Sequence, residues 1–519
     1  MKIENWIIQI YLFLMLGVFP LYYQDRYFNM GDAKYEFFKF ATIALFITMG
    51  LWLLFEKLQT IGKNKKDRKA FNISVQDWTV LIYFGVALIA WTISPYRKEA
   101  WIGSHEWYMG LLSQLLFVGV YFAISRNFGK MQWNLWVLGI SSAIVFVISY
   151  LHRFRIDPLG MYEGVAEKYW LTFLGTIGNA NWYSSYICVI LPIMTGVYIF
   201  YEKKTSVMAR VIHLLNAGFI FLGFATTVTQ NSDSAYIGLA LGMLFLLWFA
   251  LENPDFLGNF VEVLLLGLIA AKVTGCLQNR FPEHAMELSE ISTEITQGKL
   301  TWYALGIVFI LYVIVIVWKK KGGAGWSVIK KVRNVFYIVL GIMILVIPIL
   351  MWLVSTGKIT LETGLLSRTG YLVFDDKWGT NRGKIWKYAV QIFKEYPLSM
   401  KLFGCGPDAL MYYTNEFHQA KAMSFGRNEI LTNVHNEWLN MLINYGLLGA
   451  LAYISIFITC VVRVIKNWRS KPILLAFGAS VLAYMGHNFF CFQQVVCTSL
   501  IFIVFAIVES EIEKRQGLR

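Results

Sequence analysis

Charge is scarce in this sequence: Asp, Glu, Lys and Arg make up 15% of 519 residues, against 57% hydrophobic. With a positive mean hydropathy, that balance excludes an ordinary soluble globular protein and fits the range of polytopic membrane proteins. Metal-ligand spacing is missing, as are a phosphate-binding glycine loop and a dinucleotide fingerprint. No metal and no cofactor are therefore expected. The six cysteines are scattered, mostly within apolar runs, so there is no disulfide framework, and a Cys405–Cys491 pair is the only bridge worth considering. Met1 to Tyr23 has a weak basic start and no small-x-small cleavage site after Val18, and it reads as an uncleaved first span. A soluble catalytic domain and an internal repeat are also lacking.

What is present is a succession of apolar runs, about fourteen of them long enough for the roughly 17 to 25 helical residues that cross a bilayer. They begin near Trp6, Tyr35, Trp78, Leu111, Trp133, Asn181, Val211, Asp233, Phe256, Thr301, Asn334, Gly446, Pro472 and Val495. The expected fold is all-α, a single integral membrane domain over 1–519 with about fourteen transmembrane helices. One long polar interruption, 355–445, should contain short helices and carry function, as long loops tend to.

The net charge of +14 does not point to nucleic acid, because Lys and Arg segregate into alternate loops. Lys57, Lys63, Lys65, Lys66, Arg68 and Lys69, the cluster from Lys319 to Arg333, the segment from Arg463 to Lys471, and Lys514, Arg515 and Arg519 fall on one side. By the positive-inside rule that side is cytoplasmic, both termini are cytoplasmic, and the long loop is external. The basic excess is then a topology and lipid-headgroup signal.

Three segments of the loop look chemical. From Arg382 to Lys394, Ile385, Trp386, Ala389, Val390, Ile392 and Phe393 form one apolar helical stripe. Arg382 lies on that stripe, so its guanidinium either meets an anion or a carboxylate or snorkels to headgroups. The segment Gly404-Cys405-Gly406-Pro407-Asp408 reads as a turn with Pro at the first helical position. Either its exposed amides receive a phosphate, or it is an ordinary helix start. Asn433 can cap a short helix with His435, Trp438, Leu439 and Leu442 on its inner face. That puts His435 in the first turn, where the helix dipole favours the neutral imidazole a general base needs; the alternative is a His satisfied by nearby backbone. Arg427 is either an anion ligand or a solvated loop residue.

Elsewhere, Gly178-Asn179-Ala180-Asn181 precedes a long apolar run, offering polar groups to a ligand or simply capping a helix. The string Thr229-Gln230-Asn231-Ser232-Asp233-Ser234 links two further runs. Glu106, His152 and His487 sit near span boundaries and read as interfacial residues.

Taken in order, these segments resemble the O-antigen ligase and O-antigen polymerase superfamily of bacterial envelope glycosyltransferases. The matching pieces are Gly178 to Asn181, Ser232 to Gly238, Arg382 with Trp386, Leu402 to Pro407, His435 to Leu439, and Tyr445 to Gly449. The resemblance implies a multi-pass protein of the cytoplasmic membrane acting at its outer face. There it would transfer glycan from a polyprenyl-diphosphate carrier to a hydroxyl of a glycan, lipid or protein acceptor. It also implies that Arg382 binds the diphosphate, that His435 activates the acceptor, and that no metal takes part. Arg427, Gly404, Gly406, Asn179, Asn181, Asn436 and Glu437 complete the substrate-binding candidates. One departure stands out: many relatives carry Arg after the Ser matched by Ser232, whereas this chain has Asp233, which would repel a diphosphate. Either another cation such as Arg427 compensates, or the position has another role. A lipid-linked oligosaccharide flippase is the alternative, suited by many spans and a basic cavity, although it has no need of a long external loop.

Overall fold

The computed structural model describes residues 3–59, 73–129, 131–200, 206–320, 326–359, 372–417 and 431–515. Among them the chain is almost entirely helical, as expected. A single two-stranded ribbon pairs Phe173–Leu174 with Gly178–Asn179. Ten helices are long and apolar enough to cross a membrane. Four shorter apolar helices, Ile3–Val18, Leu111–Asn127, Ser234–Ala250 and Leu474–His487, accompany them. Helix is what such sequences must form in lipid, because each backbone donor and acceptor is then satisfied within its own segment.

Small residues set the closest packing. A Cβ on Gly196 would stand 2.5 Å from Ala476 Cα, one on Gly238 would stand 2.6 Å from the Ala483 carbonyl oxygen, and one on Gly242 would stand 3.0 Å from that of Ala479. These contacts bind the helices Ala180–Phe200 and Ser234–Ala250 to Leu474–His487. Close backbone approach replaces the hydrophobic driving force that is absent between helices in lipid. The apolar window of Val495–Lys514 is wholly buried, whereas none of that of Val328–Ser355 is, so the centre and the rim of the bundle are clear.

The helix Val495–Arg515 also distinguishes the two ends. Near its C-terminus Glu509 pairs with Arg463 at 2.8 Å, Glu513 with Arg126 at 3.2 Å, and Glu511 with Lys471 and Lys514. The basic segment Arg463 to Lys471 therefore gathers at this end. Of the other basic residues in the topology argument, Lys63, Lys65, Lys66, Arg68, Lys69, Lys321 and Arg519 lie outside the described residues. At the opposite end, the turn 488–494 before Val495 meets the segments from the 355–445 interval. That interval contains the helices Trp378–Glu395, Leu398–Phe403 and Leu410–Phe417.

Candidate functional site

Arg382 enters its helix through an unusual backbone. Gly379, Thr380 and Asn381 have φ of 58°, 60° and 68°, a left-handed run that a β-branched Thr rarely adopts. The regular turns therefore start at Arg382, as the apolar spacing predicts. Ala389 and Ile392 are buried and Ile385, Trp386 and Phe393 half-buried, but Val390 is exposed and Tyr388 takes its place inside. The Arg382 guanidinium donates to the Gly379 carbonyl at 3.0 Å and to the Phe490 carbonyl at 3.1 Å. Its Nε is buried without a partner. Two carbonyls and no carboxylate among the described residues pair with it. Burial lowers its proton affinity below the ordinary value, yet a guanidinium remains charged. Trp378 and Trp386 stand 6.1 and 6.0 Å from the Phe490 ring and wall the site.

His435 differs from expectation in its local setting. It sits before the helix, at φ 51°, and its N–H donates to Asn433 Oδ1 at 3.0 Å. The cap is Asn436, whose Oδ1 accepts from the Leu439 N–H at 3.0 Å. Asn433 is the expected cap, but its Oδ1 accepts from the amide two residues on, the bond of a turn, whereas Asn436 accepts from the amide three residues on and starts the helix. The dipole argument falls with it, because the imidazole is outside the first turn. Its neutrality comes instead from burial, which brings its pKa down to about 4 with help from the Arg382 charge. The two candidate residues are thus electrostatic neighbours. No described residue hydrogen-bonds the His435 ring, which packs edge-on against Phe492 at 5.3 Å.

The turn 488–494 is what brings them together, and sequence reading passed over it. Phe490 holds Arg382 and Phe492 holds His435, so two residues of one turn touch both. The segment reads Asn-Phe-Phe-Cys-Phe-Gln-Gln, apolar enough to pass for part of a span, and only Asn488 and the pair Gln493-Gln494 mark a break. Glu437 locks this turn in place. Its N–H donates to the Asn488 carbonyl at 2.9 Å. Its carboxylate, fully buried, accepts from Tyr453 at 2.5 Å, Tyr484 at 3.2 Å and the Asn488 amide. Those donors occupy both oxygens, so the expected role of Glu437 in binding substrate is replaced by one inside the protein.

The glycine turn is corrected as well. The amides of Gly404, Cys405 and Gly406 donate to Met400, Ile443 and Asn444 carbonyls at 2.7, 3.1 and 3.0 Å, so none is exposed for a phosphate. Gly404 and Gly406 serve instead as close-approach positions. A Cβ on Gly404 would meet Asn444 backbone at 2.2 Å, and one on Gly406 would meet Ser94 Oγ at 2.4 Å. Pro407 lies in a turn, not at a helix start; the helix begins at Leu410, where Asn444 Oδ1 accepts from the Ala409 and Leu410 amides at 3.0 and 3.1 Å. Asp408 Oδ2 accepts from the Ser104 and Met109 amides at 2.7 and 3.3 Å, and burial pushes its carboxyl up to about 7. Cys405 and Cys491 are free and buried.

Asn179 Oδ1 accepts from the Asn181 N–H at 2.8 Å, the local turn that starts Ala180–Phe200. Asn181 Oδ1 in turn accepts from Ser232 Oγ at 2.8 Å. The two early motifs therefore touch. Asp233 accepts from Ser289 Oγ at 2.8 Å, which gives it a role in anchoring the next segment. Trp107 links this region to the site, 5.8 Å from Trp182 and 4.7 Å from Phe492. His487 and His152 are fully buried instead of interfacial. Arg427 lies outside the described residues.

The carboxylates close enough to share an ion, Asp77, Glu509 and Glu513, sit at the other end of the bundle and are compensated by Arg126 and Arg463. The Arg382 end offers no such group among the described residues.

A search of curated proteins finds no match to the chain. The family model described as O-antigen ligase matches residues 291–454. That segment holds Arg382 and His435 and stops short of the turn 488–494. The matched domain, with the order of motifs around it, supports placing the chain in the O-antigen ligase and polymerase superfamily.

Proposed function

We propose that this protein transfers glycan from a polyprenyl-diphosphate carrier to an acceptor hydroxyl at the outer face of the cytoplasmic membrane, with both termini cytoplasmic. One observation carries the reading: a half-buried arginine without a carboxylate and a neutral histidine meet at the turn 488–494. Arg382 holds the carrier diphosphate and takes up the negative charge that grows as the glycosidic bond breaks. His435 accepts the proton of the acceptor hydroxyl as its oxygen attacks the anomeric carbon, and the lipid diphosphate leaves. Single displacement inverts that carbon. The preorganised Arg382 cation at the leaving group takes the place of a metal in this scheme.

The test uses purified protein and the lipid-linked glycan that accumulates in cells lacking it. Formation of a new glycosidic bond supports a transferase, whereas movement of intact lipid-linked glycan across vesicles without bond formation supports the flippase. A ladder of products indicates polymerisation, and a single transferred block indicates ligation. Unchanged transfer in EDTA is expected, and loss of activity would overturn the metal-free scheme.

A further inference from the structure

We propose that Glu437 is a positioning residue that sets Arg382 and His435 relative to one another through Asn488; this rests on the transferase reading above. A fully buried carboxylate is costly unless its lone pairs are filled, and here three side-chain donors fill them. No cation among the described residues pairs with Glu437. The carboxyl group is held by two tyrosine hydroxyls and an amide, an arrangement that tolerates little displacement.

The consequence runs outward through one short segment. Glu437 grips Asn488 twice, through its own N–H to the Asn488 carbonyl and through its carboxylate to the Asn488 amide. Two residues on, the Phe490 carbonyl accepts from Arg382; four residues on, Phe492 bears on the His435 ring. On its other side Glu437 follows the Asn436 cap and lies two residues from His435. The acid thus fixes the base directly through the chain and the cation indirectly through the turn.

The experiment is a double-mutant cycle on the full-length protein in detergent, with the accumulated lipid-linked glycan as donor and farnesyl diphosphate as a binding probe. Glu437→Gln keeps the shape but turns one acceptor oxygen into a donor, facing either the Tyr453 hydroxyl or the Tyr484 hydroxyl and the Asn488 amide. In the wild-type background it should lower transfer about tenfold to a hundredfold, the scale of a misplacement near 1 Å, and weaken farnesyl diphosphate binding. In a His435→Ala background the further loss in transfer should be smaller than in the wild type, because the part carried through the base is already gone and only the part carried through Arg382 remains. Equal losses in both backgrounds, or wild-type transfer by Glu437→Gln, would overturn the proposal. If that variant fails to accumulate, Asn488→Ala reads the same link from its other end with the same two outcomes. A wild-type protein that makes no product would instead sink the transferase reading and leave the coupling in farnesyl diphosphate binding to be measured alone.

Discussion

Arg382 and His435 make different demands on their surroundings, and each yields a distinct expectation. Lys in place of Arg382 keeps a charge but loses the planar fork that spans two phosphate oxygens. At equal membrane abundance Arg382→Lys should lower transfer about a hundredfold, roughly 3 kcal/mol of lost charge stabilisation; wild-type turnover would remove Arg382 from the mechanism. His435→Ala should cost about 10² to 10⁴-fold in transfer while leaving farnesyl diphosphate binding near normal, since the imidazole faces the acceptor. A loss of donor binding with intact acceptor kinetics would reverse the two roles. The pH profile follows from the lowered pKa of about 4. The base is neutral above that value, so the rate should stay level from neutral pH to about 5 and fall only as pH passes below. The ordinary imidazole value of 6.5 would place the fall well above, and a profile with that midpoint would show that His435 is not enclosed as described.

The helix Glu437–Asn467 is broken at Gly446, with φ 67° and ψ −172°, and Leu398–Phe403 docks against the break. Gly404 lies in a similar conformation, φ 78° and ψ −175°, on the facing segment. A Cβ on Gly446 would stand 2.3 Å from the Leu402 carbonyl carbon and the Phe403 nitrogen. Both positions therefore combine a backbone region nearly restricted to glycine with contact too close for any side chain. Gly404→Ala and Gly446→Ala should each destabilise the docked segment by about 1–3 kcal/mol, read as faster protease cleavage between residues 372 and 417. Cleavage rates equal to wild type would mean that the loop helices are held some other way.

At the scale of the whole molecule, the ion pairs gather Arg126, Arg463, Lys471 and Lys514 around one end of Val495–Arg515, the end that the positive-inside rule would assign to the cytoplasm. An impermeant maleimide added to intact cells should label Lys387→Cys, on an exposed loop position, and should leave Lys57→Cys unlabelled until the membrane is opened. Both variants carry Cys276→Ser, because Cys276 is exposed and the other five native cysteines are buried. The reverse labelling would invert the topology and move the donor chemistry to the cytoplasmic face.

Composition alone determined that the chain is helical and membrane-bound, since lipid permits no other arrangement for backbone groups in such apolar runs. The spacing from Arg382 to Lys394 likewise gave the helix and its inward Arg, because period and polarity are local properties. Capping was not decided locally: Asn433 and Asn436 compete on equal chemical terms, and the placement of Glu437 against Asn488 selects the second. Nor could the sequence reveal that the amides around Gly404 and Gly406 are already spent, because their acceptors, Ile443 and Asn444, arrive from a distant segment. The turn 488–494, the carboxylate cage of Glu437 and the anchoring of Asp233 by Ser289 belong to the same class. Each depends on which polar groups meet in the interior, and there an unpaired donor or acceptor costs too much for the local pattern to decide its partner.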